Sequence, residues 1–502
     1  MTATKYQHEL GLEEMRRKLM AANVMPDDFS DSGNEHTFIL NVGDSLRFCD
    51  ALGWLHWTGN VWKPDKHAAF QTAMDFTELM RQDAISVYSN ALYRAADAEV
   101  KYRDSGDERD KRELENAKRE VDVARQYLAH AQKSRNGNRI AAMLELASHD
   151  RAIIKDVSEF DAHWDLLNRP DGFTDLKTGE TFYNTEQFDS KHKYFTKQTA
   201  VKASSHGKEI WERFVDTVTC GDKDLAVYLQ AICGAALFGR VFEEGVFFCI
   251  GSGRNAKSTF WNVVQAVSGD YAGGLDVDIL LTGNQNKKAE IATLRGKRLI
   301  VCGELEEGRR LSISTLKRLA STDAIRGEEK YKAPFDFVPS HTLVIFSNHL
   351  PKVRSSDDGS WRRLHVVPFN ARIGTETAIP NYADWLVEHA GEAALRWCIA
   401  GAVQFAQNGY KLPPEPEAVR RATGDYRQRE DWLARFIAKM CVIEDNAQER
   451  LTDLYGVYRD WIEAEGEDRV KKRVFSDRLA DAGFRRTERS RVVMFHGIRL
   501  DY

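Results

Sequence analysis

The chain has 502 residues, 42% of them hydrophobic and 29% charged, which is enough for about three domains of ~100–200 residues. Its 71 Lys and Arg residues nearly balance 76 Asp and Glu residues, and the net charge of −5 excludes a uniformly basic nucleic-acid coat but not a local basic channel. No apolar run approaches the ~20 residues that cross a bilayer, and the N-terminus lacks a signal-peptide core, so we expect an intracellular protein with no membrane partner.

Residues 1–164 form a predicted N-terminal region with a charged helical hairpin at about 85–133. Apolar residues recur every three or four positions on both sides of a turn at 104–107, and 22 of the 50 residues from 91 to 140 are charged. This pattern predicts two antiparallel helices that either contact a partner or pack on their own domain. Upstream, Trp54, Trp57 and Trp62 predict a small β-hairpin whose rings either stack on bases or pack in the core.

A segment that passes from α/β to helical structure is predicted for 165–240, and an ATPase core for 241–375. The core begins with an apolar strand, Val246–Ile250, that runs into a glycine-rich turn and a helix. The spacing matches G-x-x-x-x-G-K-[ST] except that Ala256 replaces the second glycine, which requires that residue 256 not adopt a strongly positive φ. Backbone N–H groups in such a loop point at phosphate oxygens. We therefore predict a nucleotide site formed by Gly251, Ser252, Gly253, Arg254, Asn255, Ala256, Lys257, Ser258 and Thr259.

The expected ligands of this loop are ATP and Mg²⁺, with Lys257 at the β- and γ-phosphates and Ser258 in the metal shell. About 45 residues later a second apolar strand ends in acidic residues. If this strand lies beside the strand of the loop, Glu304 is placed to polarise the attacking water and to serve the metal, with Glu306 as a candidate second acid. The alternative is a strand end that is merely solvated.

A third apolar strand ends at Asn348, whose amide is predicted to bond the attacking water or the γ-phosphate. The alternative is an asparagine that only shapes the turn before Pro351. Arg362 and Arg363 follow closely and are suited to entering the ATP site of a neighbouring subunit, although a surface ion pair with a nearby aspartate would use the same residues.

The C-terminal residues are predicted as a helical linker region, 376–440, and a basic module, 441–502. From 470 to 502 there are 9 Lys and Arg residues against 4 Asp and Glu residues. Helices at 451–465 and 471–482, followed by a β-ribbon, resemble a winged helix, which binds duplex DNA. A basic cap on the ATPase is the alternative. The candidate DNA contacts here are Lys471, Lys472, Arg473, Arg485 and Arg486.

Taken in order, these motifs resemble the superfamily 3 helicases, and specifically the helicase part of phage, plasmid and poxvirus primase-helicases. The resemblance covers about 165–375 and rests on segments 251–259, 297–304, 316–325, 335–339, 347–351, 358–364 and 367–369. It implies an AAA+-type core assembled as a ring, commonly a hexamer, with Arg362 or Arg363 acting on the neighbour's nucleotide. It also implies a DNA-facing hairpin in which Lys330 and Lys332 contact phosphates.

We therefore expect an α/β protein with an AAA+-like P-loop ATPase core, a mainly helical N-terminal region and a C-terminal winged-helix-like module. The expected function is that of an ATP-dependent replicative DNA helicase of a phage, prophage or plasmid, acting in the cytoplasm on single-stranded or forked DNA. The D-x-D motif from Asp276 to Asp278 has no zinc-binding cluster with it, so priming is assigned to a separate primase or replication-initiation partner. The alternatives are a P-loop ATPase switch in defence or signalling and a non-enzymatic origin-binding protein.

Overall fold

The structure, a computed structural model, describes residues 23–185, 190–282, 288–329, 334–353, 358–374, 379–466, 469–489 and 491–501. The chain divides into two compact units, one made of residues 1–203 with 268–271 and the other of residues 204–267 with 272–502. Within the described residues, no helix combines the length and the apolar character that a membrane span requires.

The first unit is helical around two small antiparallel sheets. Its helices are α1 (Asp31–Val42), α2 (Lys66–Ser105), α3 (Glu108–Ser134) and α4 (Gly137–Ser148). One sheet has the order β1-β2-β3 (Leu46–Cys49, Gly53–Trp57 and Trp62–Pro64), and the other β4-β5-β6 (Leu166–Arg169, Gly172–Asp175 and Thr181–Tyr183). Short 3₁₀ turns occur at Val157–Glu159, Ser190–Lys193 and Gly269–Tyr271.

Helices α2 and α3 form the antiparallel hairpin that the sequence predicts. Gly106, with φ of 64°, ends α2, and the Asp107 carboxylate accepts a hydrogen bond from the backbone N–H of Arg109 to start α3. Small buried residues such as Ala91 and Ala124 line the seam. The hairpin is longer than expected, because α2 begins at residue 66 and its 40 residues span about 60 Å.

The tryptophans of the predicted β-hairpin pack inside the first unit. Trp62 has no exposed surface, its ring centroid lies 5.5 Å from that of Trp57, and the Arg47 guanidinium lies 4.8 Å from its centroid. Trp54 packs edge-on against Phe48 at 5.4 Å. Core packing is therefore the role that the contacts of Trp62 support, rather than stacking on bases.

The second unit is built on a five-stranded parallel sheet. Its strands are β7 (Val246–Ile250), β8 (Ala272–Leu275), β9 (Leu299–Cys302), β12 (Thr342–Ser347) and β13 (Leu364–Pro368), in the order β13-β7-β12-β9-β8. The central strands are apolar and mostly buried, as expected for a parallel sheet covered on both faces. The predicted mixed α/β fold is thus confirmed.

The strand order corrects one expectation. The strand before Glu304, β9, does not lie beside the loop strand β7, because β12 is inserted between them. The registers Ser347 to Ile250 and Ile345 to Cys302 nevertheless bring the carboxyl ends of all three strands to one edge of the sheet. Residues that follow these strands can therefore meet, as in other parallel sheets.

Helices cover the sheet and connect its strands. They are α5 (Lys208–Val218), α6 (Lys223–Ala235), α7 (Lys257–Ser268), α8 (Lys288–Ala292), α9 (Ile313–Leu319), α10 (Asp358–Trp361) and α11 (Tyr382–Gln407), with a 3₁₀ turn at Val277–Leu280. Strands β10 (Ile325–Gly327) and β11 (Phe335–Phe337) form a separate antiparallel pair. The helical structure predicted for the later part of the segment 165–240 is present as α5 and α6.

Helices α6 and α11 touch backbone to backbone. A Cβ added to Gly234 would lie 2.2 Å from the backbone nitrogen of Ala402, and one added to Gly401 would lie 2.2 Å from the carbonyl oxygen of Gln230. The buried thiols of Cys233 and Cys398 form a hydrogen bond in the same contact. Only glycine fits at both positions, so the two helices are held at a fixed and close spacing.

The C-terminal residues of the second unit pack around their own aromatic core. Helix α12 (Glu417–Glu430) packs instead on the parallel sheet, where Thr423 accepts a hydrogen bond from the Val366 N–H and Tyr426 is buried. Helices α13 (Trp432–Met440), α14 (Leu451–Ala464) and α15 (Lys472–Asp481) accompany a sheet of order β14-β16-β15 (Cys441–Arg450, Val492–Leu500 and Arg485–Arg489). Phe436, Tyr458 and Phe475 are buried together at its centre. The expected two helices and β-ribbon are confirmed, and β14 is an additional strand that the sequence reading missed.

Candidate nucleotide-binding site

The glycine-rich loop joins β7 to α7 as its sequence predicts, but its backbone differs from the expectation. Gly253, Arg254 and Ala256 have φ of 95°, 49° and 58°. The condition that residue 256 avoid a positive φ is therefore wrong, and Ala256 occupies a conformation that costs a non-glycine residue about 1–2 kcal/mol. Left-handed residues interspersed in a loop curve it into a concave nest of N–H groups, which suits an anion.

The loop requires glycine at position 251 because a side chain there would clash with its neighbours, not because the backbone angle φ is positive. A Cβ at Gly251 would lie 1.8 Å from Asn255 Nδ2 and 2.4 Å from the carbonyl oxygen of Phe369. Asn255 is only 2% exposed, so its side chain folds back over Gly251 and fills the base of the loop. The backbone N–H of Phe369 also donates to the Ile250 carbonyl at 2.7 Å. The segment after β13 is thereby attached to the loop.

Lys257 begins α7 and is held by two oxygen acceptors. Its Nζ lies 2.5 Å from Asn348 Oδ1 and 3.3 Å from the Gly251 carbonyl oxygen. The residue is 4% exposed, and burial lowers the pKa of its ammonium group, an effect that the nearby Glu304 carboxylate opposes. A partly desolvated ammonium held by neutral oxygens is suited to exchange them for an anionic ligand.

A second contact fixes the segment that carries Glu304. The Ser347 hydroxyl, fully buried at the end of β12, accepts a hydrogen bond from the Leu305 N–H at 3.1 Å and donates to the Leu305 carbonyl. The residue after Glu304 is thus tied to the residue before Asn348. The hydrogen bonds of Ser347 therefore hold the backbone that carries Glu304 next to the backbone that carries Asn348.

These residues surround one cavity of about 710 Å³. Loop residues 253–259 line it together with Glu304 and Asn348, so the structure brings together the phosphate loop, the predicted acid and the predicted amide. Among the described lining residues cations exceed acids, since Lys257, Arg254, Arg213 and Arg372 face one carboxylate, Glu304. An excess of positive charge suits a polyanionic ligand.

The donor set in this cavity fits a hard divalent cation bound with phosphates. Ser258 and Glu304 supply a hydroxyl and a carboxylate oxygen, the ligand types that Mg²⁺ prefers. Among the described residues no group of three or more His, Cys, Asp or Glu side chains is arranged for a metal ion. In the described cavity, the expected ion would be held by Ser258, Glu304 and the phosphates.

Other predicted site residues lie outside this cavity. Glu306 is exposed and its carboxylate lies 3.5 Å from Arg309, so it does not join Glu304. Arg363 forms an ion pair with Glu244 and donates to the Gly359 carbonyl at 2.6 Å. The predicted alternative of an ion pair is thus realised for Arg363, with Glu244 in place of an aspartate, whereas Arg362 is exposed.

Both arginines stand at the far edge of the sheet. The Val246 N–H donates to the Arg363 carbonyl, and Leu364 pairs with Val246 at the start of the two strands. The loop leaves β7 after Ile250, four residues further on, which corresponds to about 13 Å of strand. Within one subunit these arginines therefore do not reach the phosphate loop.

The predicted DNA contacts are divided between described and undescribed residues. Lys330 and Lys332 fall in 330–333, outside the described residues. The flanking strands β10 and β11 are paired, with Ile325 opposite Phe337 and Gly327 opposite Phe335. The five basic residues of the C-terminal module are exposed, at the start of α15 and on β15. Two of them have acidic neighbours, since Arg473 lies 3.8 Å from Asp477 and Arg486 lies 3.4 Å from Glu488.

Several cavity residues were not identified from the sequence. Arg372 follows β13 and its neighbour Ile373 donates an N–H to the Arg254 carbonyl at 2.9 Å, which holds this segment against the loop. A signal existed on α5, where cavity residues recur at helical spacing. They are Ile210, Arg213, Phe214 and Thr217.

Comparison with known families matches two parts of the chain. Residues 35–220 match the family described as D5 N terminal like, and residues 249–363, which include the phosphate loop and Arg362, match a family of unknown function, DUF5906.

Individual relatives are viral. The chain is 26% identical over 259 residues to the candidate helicase L207/L206 of Acanthamoeba polyphaga mimivirus, covering 48% of this chain and 27% of that protein. It is 21% identical over 455 residues to the candidate helicase 121R of Invertebrate iridescent virus 3, covering 82% and 48%. It is 21% identical over 261 residues to the candidate primase C962R of African swine fever virus (isolate Warthog), covering 48% and 27%. The chain thus spans between about a quarter and a half of the length of these proteins.

These matches confirm the resemblance that the motifs predict: the chain is similar to viral proteins of a primase-helicase-like family. One similar solved structure is the C-terminal region of NrS-1. The two chains align over 72% of this chain and 89% of that chain, with 9% identity and a TM-score of 0.40.

Proposed function

We propose that this chain is an ATP-dependent DNA helicase acting in the replication of a mobile genetic element or virus. The observation that carries the proposal is the convergence of Lys257, Ser258, Glu304 and Asn348 on one cavity. They come from three strand ends that β12 holds side by side. Viral relatives with candidate helicase names support unwinding as the use of this site.

In this proposal the triphosphate of ATP lies in the glycine-rich loop, with Lys257 releasing Asn348 to bind the β- and γ-phosphates. Ser258 and Glu304 would hold Mg²⁺, which neutralises charge on the transferring phosphoryl group. Arg372 supplies a further cation at the same cavity. The four cations of the described lining thus share the triphosphate as a common ligand.

Glu304 is proposed to orient and polarise the attacking water, with Asn348 as its partner across the cavity. Ser347 acts as a positioning residue, because its hydroxyl bonds the backbone next to Glu304 while its own chain continues into Asn348. A shift of either strand end during hydrolysis would therefore move the other, because Ser347 connects the two.

A ring of subunits, most simply a hexamer, is proposed to complete the site. The distance of Arg362 from the phosphate loop of its own subunit and its exposure support a role in the neighbour's site. Arg363 is assigned a structural role instead, since Glu244 already neutralises it. An AAA+-like core and a winged-helix-like C-terminal module, with exposed Lys471, Lys472, Arg473, Arg485 and Arg486 on DNA, complete this proposal.

The test is a strand-displacement assay on forked DNA with ATP and Mg²⁺, combined with ATPase rates with and without single-stranded DNA. Wild type should unwind, and Glu304→Gln should bind ATP but lose turnover by about 10²-fold or more. Glu306→Gln is the matched control, because this neighbouring acid lies outside the cavity and should behave as wild type.

Equal unwinding by wild type and Glu304→Gln would overturn the role of Glu304. ATP hydrolysis that is unaffected by DNA, without strand displacement, would instead favour a P-loop ATPase switch. A Lys257→Ala variant with unchanged activity would overturn the nucleotide site as a whole.

A further inference from the structure

The cavity extends beyond the phosphate loop to an aromatic wall, made of Phe214, Tyr382 and Trp385. None of these residues belongs to a motif of the ATPase core. They come from helices α5 and α11, which precede and follow the parallel sheet in the chain. The wall therefore needs an explanation separate from the phosphate loop.

One side of the wall is a continuous face of α5. Ile210, Phe214 and Thr217 recur with Arg213 at positions i, i+3, i+4 and i+7, which fall on one side of a helix. Phe214 is 3% exposed and anchors this face, while Arg213 and Thr217 are exposed at its rim. The face is apolar at its centre and polar at its edge.

The other side is the first turn of α11. Tyr382 and Trp385 stack with ring centroids 5.6 Å apart and an interplanar angle of 23°, and Phe214 meets Tyr382 edge-on at 5.7 Å. His389 stacks on Trp385 at 4.4 Å and continues the row. These contacts fix the orientation of the rings, so the surface that faces the cavity is preorganised.

Core packing accounts for Phe214 but not for the rest of the wall. Tyr382 and Trp385 are only half-buried, and Ile379, which also lines the cavity, leaves 44% of its surface exposed. Apolar and aromatic surface left open at one end of a cavity that has charged groups at the other end is typical of a site for an amphipathic ligand.

We propose that the aromatic wall binds the nucleobase of the nucleotide, with the base in contact with the exposed parts of the Tyr382 and Trp385 rings. The inference rests on the proposed function, since the triphosphate must occupy the loop for the base to reach the wall. A heteroaromatic base has the flat, weakly hydrated surface that such rings bind, whereas the phosphates are held by Lys257 and the arginines. A cavity of about 710 Å³ is of the size that ligands of this class occupy.

The experiment compares the affinity of the full chain for ATP with that for inorganic tripolyphosphate, both with Mg²⁺, by titration calorimetry. Tyr382→Ala and Trp385→Ala should each weaken ATP binding by about tenfold, the size of a lost contact between a base and an aromatic ring, and leave tripolyphosphate binding unchanged. Tyr382→Phe should keep the wild-type affinity for ATP, because it keeps the ring.

Two further variants make the outcome decisive. Tyr93→Ala, which removes an exposed tyrosine in the other unit, should change neither affinity. Lys257→Ala should weaken both ligands, which tests the proposed function separately from the wall. Unchanged ATP affinity in both wall variants, or an equal loss for ATP and tripolyphosphate, would overturn the inference while the phosphate site stands.

Discussion

Lys257 Nζ lies 2.5 Å from Asn348 Oδ1, a contact between the first residue of the helix after the phosphate loop and the residue that follows the neighbouring strand. A neutral amide thus occupies one coordination position of an ammonium that is otherwise almost fully buried. An anionic ligand of Lys257 must compete with this amide, so the residue at 348 sets how strongly Lys257 is retained.

An Asn348→Asp substitution is expected to block nucleotide binding. It places a carboxylate beside the Lys257 ammonium in a buried site, where an ion pair is stronger than the present hydrogen bond and the added charge repels phosphates. We expect ATP affinity to fall by at least about tenfold, measured by titration calorimetry. Asn348→Ala removes the competing amide, so it should keep or raise the affinity, but it should lower kcat by about 10²–10³, as for removal of one preorganised donor. Equal ATP affinities for the aspartate variant and wild type would contradict this account of the contact.

Ala256→Gly is expected to stabilise the protein. Glycine accepts the φ of 58° without the strain that alanine carries, and this gain of about 1–2 kcal/mol exceeds the entropy that glycine adds to the unfolded chain. The melting temperature should rise slightly, and Ala256→Val should lower it, because a β-branched residue tolerates positive φ poorly. Ala96→Gly, in the exposed middle of α2, is the control and should lower the melting temperature. A lower melting temperature for Ala256→Gly would contradict the claim that the backbone of Ala256 is strained.

Lys257→Met is expected to stabilise the ligand-free protein while it abolishes ATP binding. Burial lowers the pKa of the Lys257 ammonium, so the folded state releases this proton at a lower pH than the unfolded state does. Between that lowered pKa and the ordinary value of about 10.4, the stability of the wild type therefore rises with pH. The methionine variant has no ammonium group at this position and lacks this pH dependence. The difference in melting temperature should be largest near neutral pH and should narrow towards pH ~10. A difference that widens with pH would show that the sign is wrong.

Substitution of Arg362 is expected to affect activity, and substitution of Arg363 to affect stability. Arg362→Ala should fold normally and lose ATPase activity by about 10³-fold or more, the effect of removing an arginine finger. Arg363→Ala should lower stability by about 1–3 kcal/mol, since it leaves the partly buried Glu244 without its partner.

Mixing subunits distinguishes action on a neighbour from action within a subunit. Arg362→Ala and Lys257→Ala subunits are each inactive alone, but a mixed ring contains sites with an intact loop on one subunit and an intact arginine on the next. Recovery of ATPase activity on mixing is the expected result. No recovery, with mixed assembly verified by mass, would contradict a role for Arg362 in the neighbouring site.

The features that sequence spacing determines were predicted correctly. The apolar strand before Lys257, the strands that end near Glu304 and Asn348, and the α2–α3 hairpin all follow from local patterns of apolar residues and turns. Glu304, Asn348 and Lys257 line one cavity because parallel strands place their carboxyl ends at a common edge, a rule that holds without knowledge of the strand order.

The features that depend on tertiary contacts were not predictable. The insertion of β12 between β7 and β9, the pairing of Arg363 with Glu244 and the contact of Glu306 with Arg309 each join residues whose proximity no local pattern encodes. The positive φ of Ala256 is imposed by the loop against the residue's own preference. Arg372 reaches the cavity through the register of β13 with β7, which the sequence does not specify.

Helix α11 connects two parts of the second unit that are far apart. At Gly401 its backbone touches α6, and 19 residues earlier Tyr382 lies in the cavity wall, about 28 Å away along the helix axis. A glycine contact allows little sliding, so the spacing of α6 and α11 is fixed at this point. A tilt of only a few degrees about Gly401 would shift Tyr382 by an ångström or more. The position of the cavity wall is thus linked, through a single helix, to the packing of α11 against α6.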